Sequence, residues 1–102
     1  MKQNVRIKIP RDRLARFCES NHINRLSLYG SVLSHNFRQD SDIDMLIEFE
    51  PGTKAGFFKL ARMENELSEI LGRKVDIRTP AELSRYFRQD VLENAKVEYA
   101  KG

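Results

Sequence analysis

The chain has 102 residues, 40% of them apolar and 32% charged, with a formal net charge of +3. That length allows one small domain with a modest core, and the balance of apolar to charged residues excludes a disordered chain. No apolar run approaches the roughly 20 residues of a membrane span, and Met1 to Pro10 alternates charged and apolar residues, unlike a signal peptide. The lone Cys18 excludes an internal disulfide, no Cys/His cluster points to zinc, and the expected setting is reduced and cytoplasmic, with no membrane. A charge of +3 suits polyphosphate but does not by itself make a nucleic-acid binder.

Val5 to Ile9 alternates apolar and basic residues, as a short strand or an extended arm would. Pro10 suits the first turn of a helix in which Leu14, Phe17 and Cys18 recur at helical spacing, ending near Asn21 and His22. Arg25 to Tyr29 is short, apolar and closed by Gly30, a strand pattern, and Ser31 to Phe37 is expected to form one or two helical turns. Ser41 to Phe49 is the best strand: Ile43, Met45, Ile47 and Phe49 fall on one face, and Asp42, Asp44, Leu46 and Glu48 on the other. After the Pro51-Gly52 break, Ala55 to Leu71 reads as a helix with the stripe Phe57, Leu60, Met63, Leu67 and Leu71, stopped by Gly72. Lys74 to Arg78 is a further strand, with Val75 and Ile77 inward and Asp76 on the opposite face. Thr79 and Pro80 open a short helix through Leu83. A last helix is predicted from near Ser84 to Ala95, with Val97 to Tyr99 extended. Strands alternating with helices predict an α/β (α+β) fold, a small mixed sheet with helices packed mainly on one face.

Asp42 and Asp44 are two apart on the predicted strand and share a face. Carboxylates held that close repel unless a cation sits between them. A hard divalent ion such as magnesium answers this, because it takes oxygen ligands and keeps positions open for phosphate. Asp76 has the same character on another strand. If the two strands are neighbours, three carboxylates converge, enough to bind two metal ions or to take a proton from an attacking hydroxyl. Gly30-Ser31 ends a strand and opens a helical turn, where free N–H groups attract phosphate. Taken singly, the Asp pair is a turn or solvated strand edge, Gly-Ser an ordinary turn, and Asp76 a surface carboxylate; the ordered set carries the weight.

The stretch Leu28-Tyr29-Gly30-Ser31 to Ser41-Asp42-Ile43-Asp44-Met45-Leu46-Ile47-Glu48-Phe49 resembles the minimal nucleotidyltransferase (MNT) domains of the DNA polymerase beta superfamily. Gly72-Arg73-Lys74-Val75-Asp76-Ile77 resembles their third-carboxylate strand, and Phe87 to Tyr99 their last helix. The resemblance covers about residues 24–99 of a single 1–102 domain and implies a polymerase-beta-like nucleotidyltransferase fold. It implies that Asp42, Asp44 and Asp76 bind two Mg2+ ions, with Asp76 also activating the acceptor hydroxyl, and that Gly30 and Ser31 hold the β and γ phosphates of ATP. It further implies an antitoxin that transfers AMP from ATP to a tyrosine of a partner HEPN toxin. The alternative is a catalytically weak MNT domain that neutralises its toxin by direct binding. Many members carry an Arg and then a Gly shortly after the Gly-Ser; Ser34 and His35 stand there in this chain, with Arg38 or His35 as candidates to compensate.

On the third-carboxylate strand, Lys74 and Arg78 share the face of Asp76 and are either phosphate or acceptor contacts or a solvated face. Tyr86, Phe87, Val91 and Leu92 are expected to pack on the sheet, with partner docking as the other reading. So short a chain leaves no room for an acceptor-binding domain, so the acceptor is expected to come from a partner or another copy; homo- and hetero-oligomers are both open.

Overall fold

The computed structural model describes residues 7–33 and 41–101. Expectations that fall on Val5, Ser34, His35 and Arg38 therefore lie outside the described residues. The first helix, α1, is Arg11–Ser20 and buries Leu14, Phe17 and Cys18. It leads into strand β1, Ile23–Tyr29, followed by a 3-10 turn over Gly30–Leu33. Strand β2 is Ile43–Phe49, helix α2 is Phe57–Leu71 and strand β3 is Val75–Arg78. A 3-10 turn at Pro80–Glu82, helix α3 at Arg88–Asn94 and strand β4 at Lys96–Ala100 complete the order.

The sheet runs β3-β2-β1-β4. β1 is antiparallel to both β2 and β4, whereas β2 and β3 are parallel, with α2 as their connection. The sheet is thus mixed, as expected. α1 and α2 cover one face. Leu14, Phe17, Met63 and Leu67 from the helices form one buried cluster with Leu26, Leu28, Ile43, Met45, Ile47, Val75 and Ile77 from the strands. The period-2 alternation of each strand directs these residues to the helices and their neighbours to the opposite face. Gly72 ends α2 in the left-handed region, at φ 68°, the backbone that glycine adopts most cheaply. Among the described residues no helix is long and apolar enough to cross a membrane.

Several local expectations change. Of the two readings for Val5 to Ile9, the short strand falls away: the described Ile7 and Ile9 lie in no strand and pack against the core. β1 starts at Ile23, two residues ahead of the predicted Arg25. α2 starts at Phe57 rather than Ala55, and Phe57 is 79% exposed, so it does not join the apolar stripe. The fully buried residues of α2 begin only at Met63, with Leu60 partly buried against the core. The stretch Phe87 to Tyr99, likened to one last helix, divides as its own residues predict: α3 ends at Asn94, next to the expected Ala95, and Lys96–Ala100 is extended and pairs with β1, although the helix begins at Arg88 rather than near Ser84. The open N–H and C=O groups of β1 reward that pairing more than another helical turn would. Tyr86 and Phe87 do not pack on the sheet, being 81% and 63% exposed, and α3 buries no residue fully. β4 is pinned to α1 by Arg11, whose Nη1 lies 2.6 Å from Glu98 Oε1.

Candidate active site

The face of the sheet away from α1 and α2 carries the candidate site residues. In the parallel pairing of β2 with β3, Asp44 stands opposite Asp76, and on the other side of β2 Tyr29 stands opposite Asp44. Tyr29, Asp44 and Asp76 therefore form a row across three strands, with neighbouring strands about 4.8 Å apart. The next row pairs Ser27 with Leu46 and Leu46 with Arg78, and here Ser27 and Leu46 are buried. Asp42 lies just before β2, which begins at Ile43, and is exposed. β2 is an inner strand, so the carboxylates lie at its N-terminal end rather than on a lateral edge of the sheet.

The scaffold holds this end firmly. The Ile43 N–H donates to the Lys74 carbonyl at 2.9 Å, and Arg73 Nη2 donates to the Ser41 carbonyl at 2.9 Å. β3 is an edge strand, and α2 satisfies its outward donors. Val75 N–H donates to Ser68 Oγ at 3.0 Å, and Ile77 N–H to Glu64 Oε2 at 2.8 Å. Asp76 is held between these two anchored residues. Glu64 and Ser68 act as edge covers, a role that helical periodicity does not reveal, since both simply fall outside the apolar stripe.

Gly30 approaches the row closely. Its φ is +77°, and a Cβ placed there would lie 2.6 Å from Asp44 Oδ2. Glycine is required twice, by backbone conformation and by space. Among the described residues, the turn that follows is a single 3-10 segment, Gly30–Leu33, containing Ser31. It supplies backbone donors but a smaller dipole than a full α-helix.

Burial is the main cause that raises the Asp44 carboxyl above its ordinary range, followed by the charges of Asp76 and Asp42, with Arg78 opposing. The three carboxylates thus act on one another electrostatically. For side chains at about 5 Å the repulsion amounts to about 1–3 kcal/mol between surface-like and bulk-water screening. Tyr29 belongs to the same field. Its phenol is pushed up to about 12, by burial first and then by Asp44, while Arg78 opposes through its charge and a hydrogen bond. Tyr29 was missed as a site residue on sequence; its position directly before Gly30 on an alternating strand is the signal that places it on this face.

Two cations partner the carboxylates. Arg78 Nη2 lies 3.3 Å from Asp76 Oδ2, and Lys74 Nζ lies 3.9 Å from Asp42 Oδ2. Among the described residues no three His, Cys, Asp or Glu side chains stand close enough to form a ready metal cage. The donor set nonetheless fits a divalent cation: oxygen ligands only, mutually repelling, with the backbone of Gly30 packed directly against the Asp44 carboxylate. Beside this row lies a groove of about 210 Å³, whose walls include Phe57, Leu60, Glu64, Asp76 and Arg78. A second groove, of about 400 Å³, runs from Tyr29, Gly30 and Leu33 to Phe87, Val91 and Ala95.

A family model described as a nucleotidyltransferase domain matches residues 11–98. The chain belongs to the nucleotidyltransferase domain family. As a nucleotidyltransferase it is 33% identical over 73 residues to a Methanocaldococcus jannaschii protein named "Putative protein adenylyltransferase", an overlap of 72% of this chain and 76% of that one. A solved "putative minimal nucleotidyltransferase" superposes with a TM-score of 0.68 at 33% identity, covering 83% of this chain and 85% of that one. The fold also matches, at a TM-score of 0.64 and 16% identity over 89% of this chain and 70% of that one, a complex of a tri-AMPylated HEPN toxin from Shewanella oneidensis with an MNT antitoxin. The mixed sheet and its helices are those of a nucleotidyltransferase fold.

Proposed function

We propose that this nucleotidyltransferase moves AMP from ATP to a protein hydroxyl, with a tyrosine of a HEPN toxin as acceptor and magnesium as the metal, so that the chain acts as the antitoxin. The observation that carries this reading is the row of Asp44 and Asp76 in register, with Asp42 beside it and Gly30 pressed against the Asp44 carboxylate. The M. jannaschii relative is named as a protein adenylyltransferase, which supports AMP as the group and a protein as the acceptor, and the Shewanella complex holds an AMPylated HEPN toxin, which supports a HEPN protein as that acceptor.

Asp42, Asp44 and Asp76 would hold two magnesium ions, which supply charge neutralisation at the phosphates and at the acceptor oxygen. Gly30 and Ser31 offer the β and γ phosphates backbone and hydroxyl donors, with no Cβ at Gly30 to block approach. Asp76 takes the proton from the acceptor hydroxyl. The acceptor oxygen forms a bond to the α-phosphorus, the α–β phosphoanhydride bond breaks, and pyrophosphate leaves. Incubation with α-labelled ATP, magnesium and a HEPN protein encoded in the same genome tests the reading. Label should appear on a toxin tyrosine and vanish in Asp42→Ala with Asp44→Ala; absence of label in the parent protein refutes it.

One observation favours a second reading, an antitoxin that works by covering its toxin. Asp42 and Asp76 already have Lys74 and Arg78 as partners, and the described carboxylates form no ready metal cage. This reading expects tight toxin binding by calorimetry with no heat from ATP and magnesium.

A further inference from the structure

The carboxylate row carries its own cation. Arg78 lies two residues beyond Asp76 on β3, on the same face, with Nη2 at 3.3 Å from Asp76 Oδ2. Its register partner on β2 is Leu46, a buried apolar side chain that offers no charge. Among the described residues its ion pair is with Asp76, and its charge eases the ionisation of Asp44; Glu64 and Glu82 line the same groove but accept from the Ile77 and Thr79 N–H groups. The positive charge of Arg78 also acts on the Tyr29 phenol, against the pull of Asp44. Arg78 and Asp76 both line the groove beside α2, so a solute reaches the pair directly. A guanidinium fork suits phosphate as well as it suits carboxylate. It can therefore leave Asp76 for a polyphosphate without losing a charged partner.

We propose that Arg78 is a built-in counter-ion that stands beside Asp76 in the place of a divalent cation, and that it passes to the nucleotide's phosphates when metal and nucleotide enter together. This rests on the divalent-cation site proposed above. Metal alone must displace or coexist with a fixed positive charge, so it binds weakly. Nucleotide removes that charge from the carboxylate, and by linkage metal and nucleotide then favour each other. Arg78 is a positioning residue here: it gives Asp76 a charged partner while the site is empty, and metal is taken up with substrate rather than before it.

The test is Mn2+ binding followed by electron paramagnetic resonance of the free ion, with and without a non-hydrolysable ATP analogue. Arg78→Gln should bind Mn2+ alone about two- to fivefold more tightly than the parent, the range set by removing one partly exposed charge partner. The analogue should raise Mn2+ affinity less in Arg78→Gln than in the parent. Arg78→Lys, which keeps the charge, should bind Mn2+ alone as the parent does. Arg78→Ala serves as a second neutral variant should Arg78→Gln fold poorly. Equal Mn2+ affinity in the parent and both neutral variants overturns the proposal, even if Asp44→Asn abolishes binding and so upholds the metal site. If no Mn2+ binds to the parent with or without the analogue, the metal site and this inference fall together.

Discussion

The Cα of Gly30 faces the carboxylate of Asp44 so closely that a Cβ on Gly30 would lie 2.6 Å from Asp44 Oδ2. The turn that ends β1 and the acid that opens β2 are therefore one unit. Gly30→Ala should lose transfer activity by at least about 100-fold, the scale of losing a single preorganised contact at a charged reacting group. It should also lose about 1–2 kcal/mol of stability from the left-handed backbone. Gly72→Ala is the control. Gly72 has a similar φ of +68° but open space around it, so it should show the strain in urea unfolding and keep its activity.

Asp44 is raised by burial and by its acidic neighbours. The folded chain then holds the Asp44 proton more tightly than the unfolded chain. Stability linked to the protonated form is full below the ordinary value of 3.8 and is lost as pH rises through the higher folded-state value. Asp44→Asn does not titrate. Its stability relative to the parent should improve across that window, by under about 1 kcal/mol because the site is partly solvated. Urea unfolding at acid and neutral pH reads this, and transfer activity should be lost in the same variant.

Asp76 depends on Glu64 through one residue. Ile77 N–H donates to Glu64 Oε2. Glu64→Ala should cost about 1–3 kcal/mol by leaving that donor unpaired and should lower the rate by loosening Asp76, with the affinity for ATP little changed. Asp76→Asn should instead cost about 10²–10⁴ in rate with little change in stability, as expected for loss of a general base. Thermal unfolding together with kcat and KM separates the two.

Arg11 and Glu98 join the ends of the described chain. The Glu98 side chain is only 1% exposed, and its Oε2, although 3.3 Å from Lys96 Nζ, accepts no well-aligned hydrogen bond. Arg11→Ala should destabilise the fold by about 1–3 kcal/mol by weakening the pairing of a buried carboxylate. Arg11→Ala with Glu98→Leu should recover most of the loss, since a buried charge is then no longer left behind. Amide exchange in β4 would show the loosening locally.

The sequence by itself determined the local elements and the identities of the acids. A period of two sends Asp44 and Asp76 away from Ile43, Met45, Val75 and Ile77 whatever else the chain does, and Gly72 stops its helix for reasons confined to one residue. Tertiary structure alone decided the company these residues keep. Asp76 meets Asp44 because β2 and β3 pair in parallel in one particular register, and Tyr29 joins them from a strand running the other way. Pairing and register are contacts between residues distant along the chain, so no local pattern encodes them. The same reason left open where the extended Val97 to Tyr99 would pair, which the open side of β1 decides, and whether Arg78 on the Asp76 face was a contact or a solvated charge, until Asp76 was brought within 3.3 Å of it.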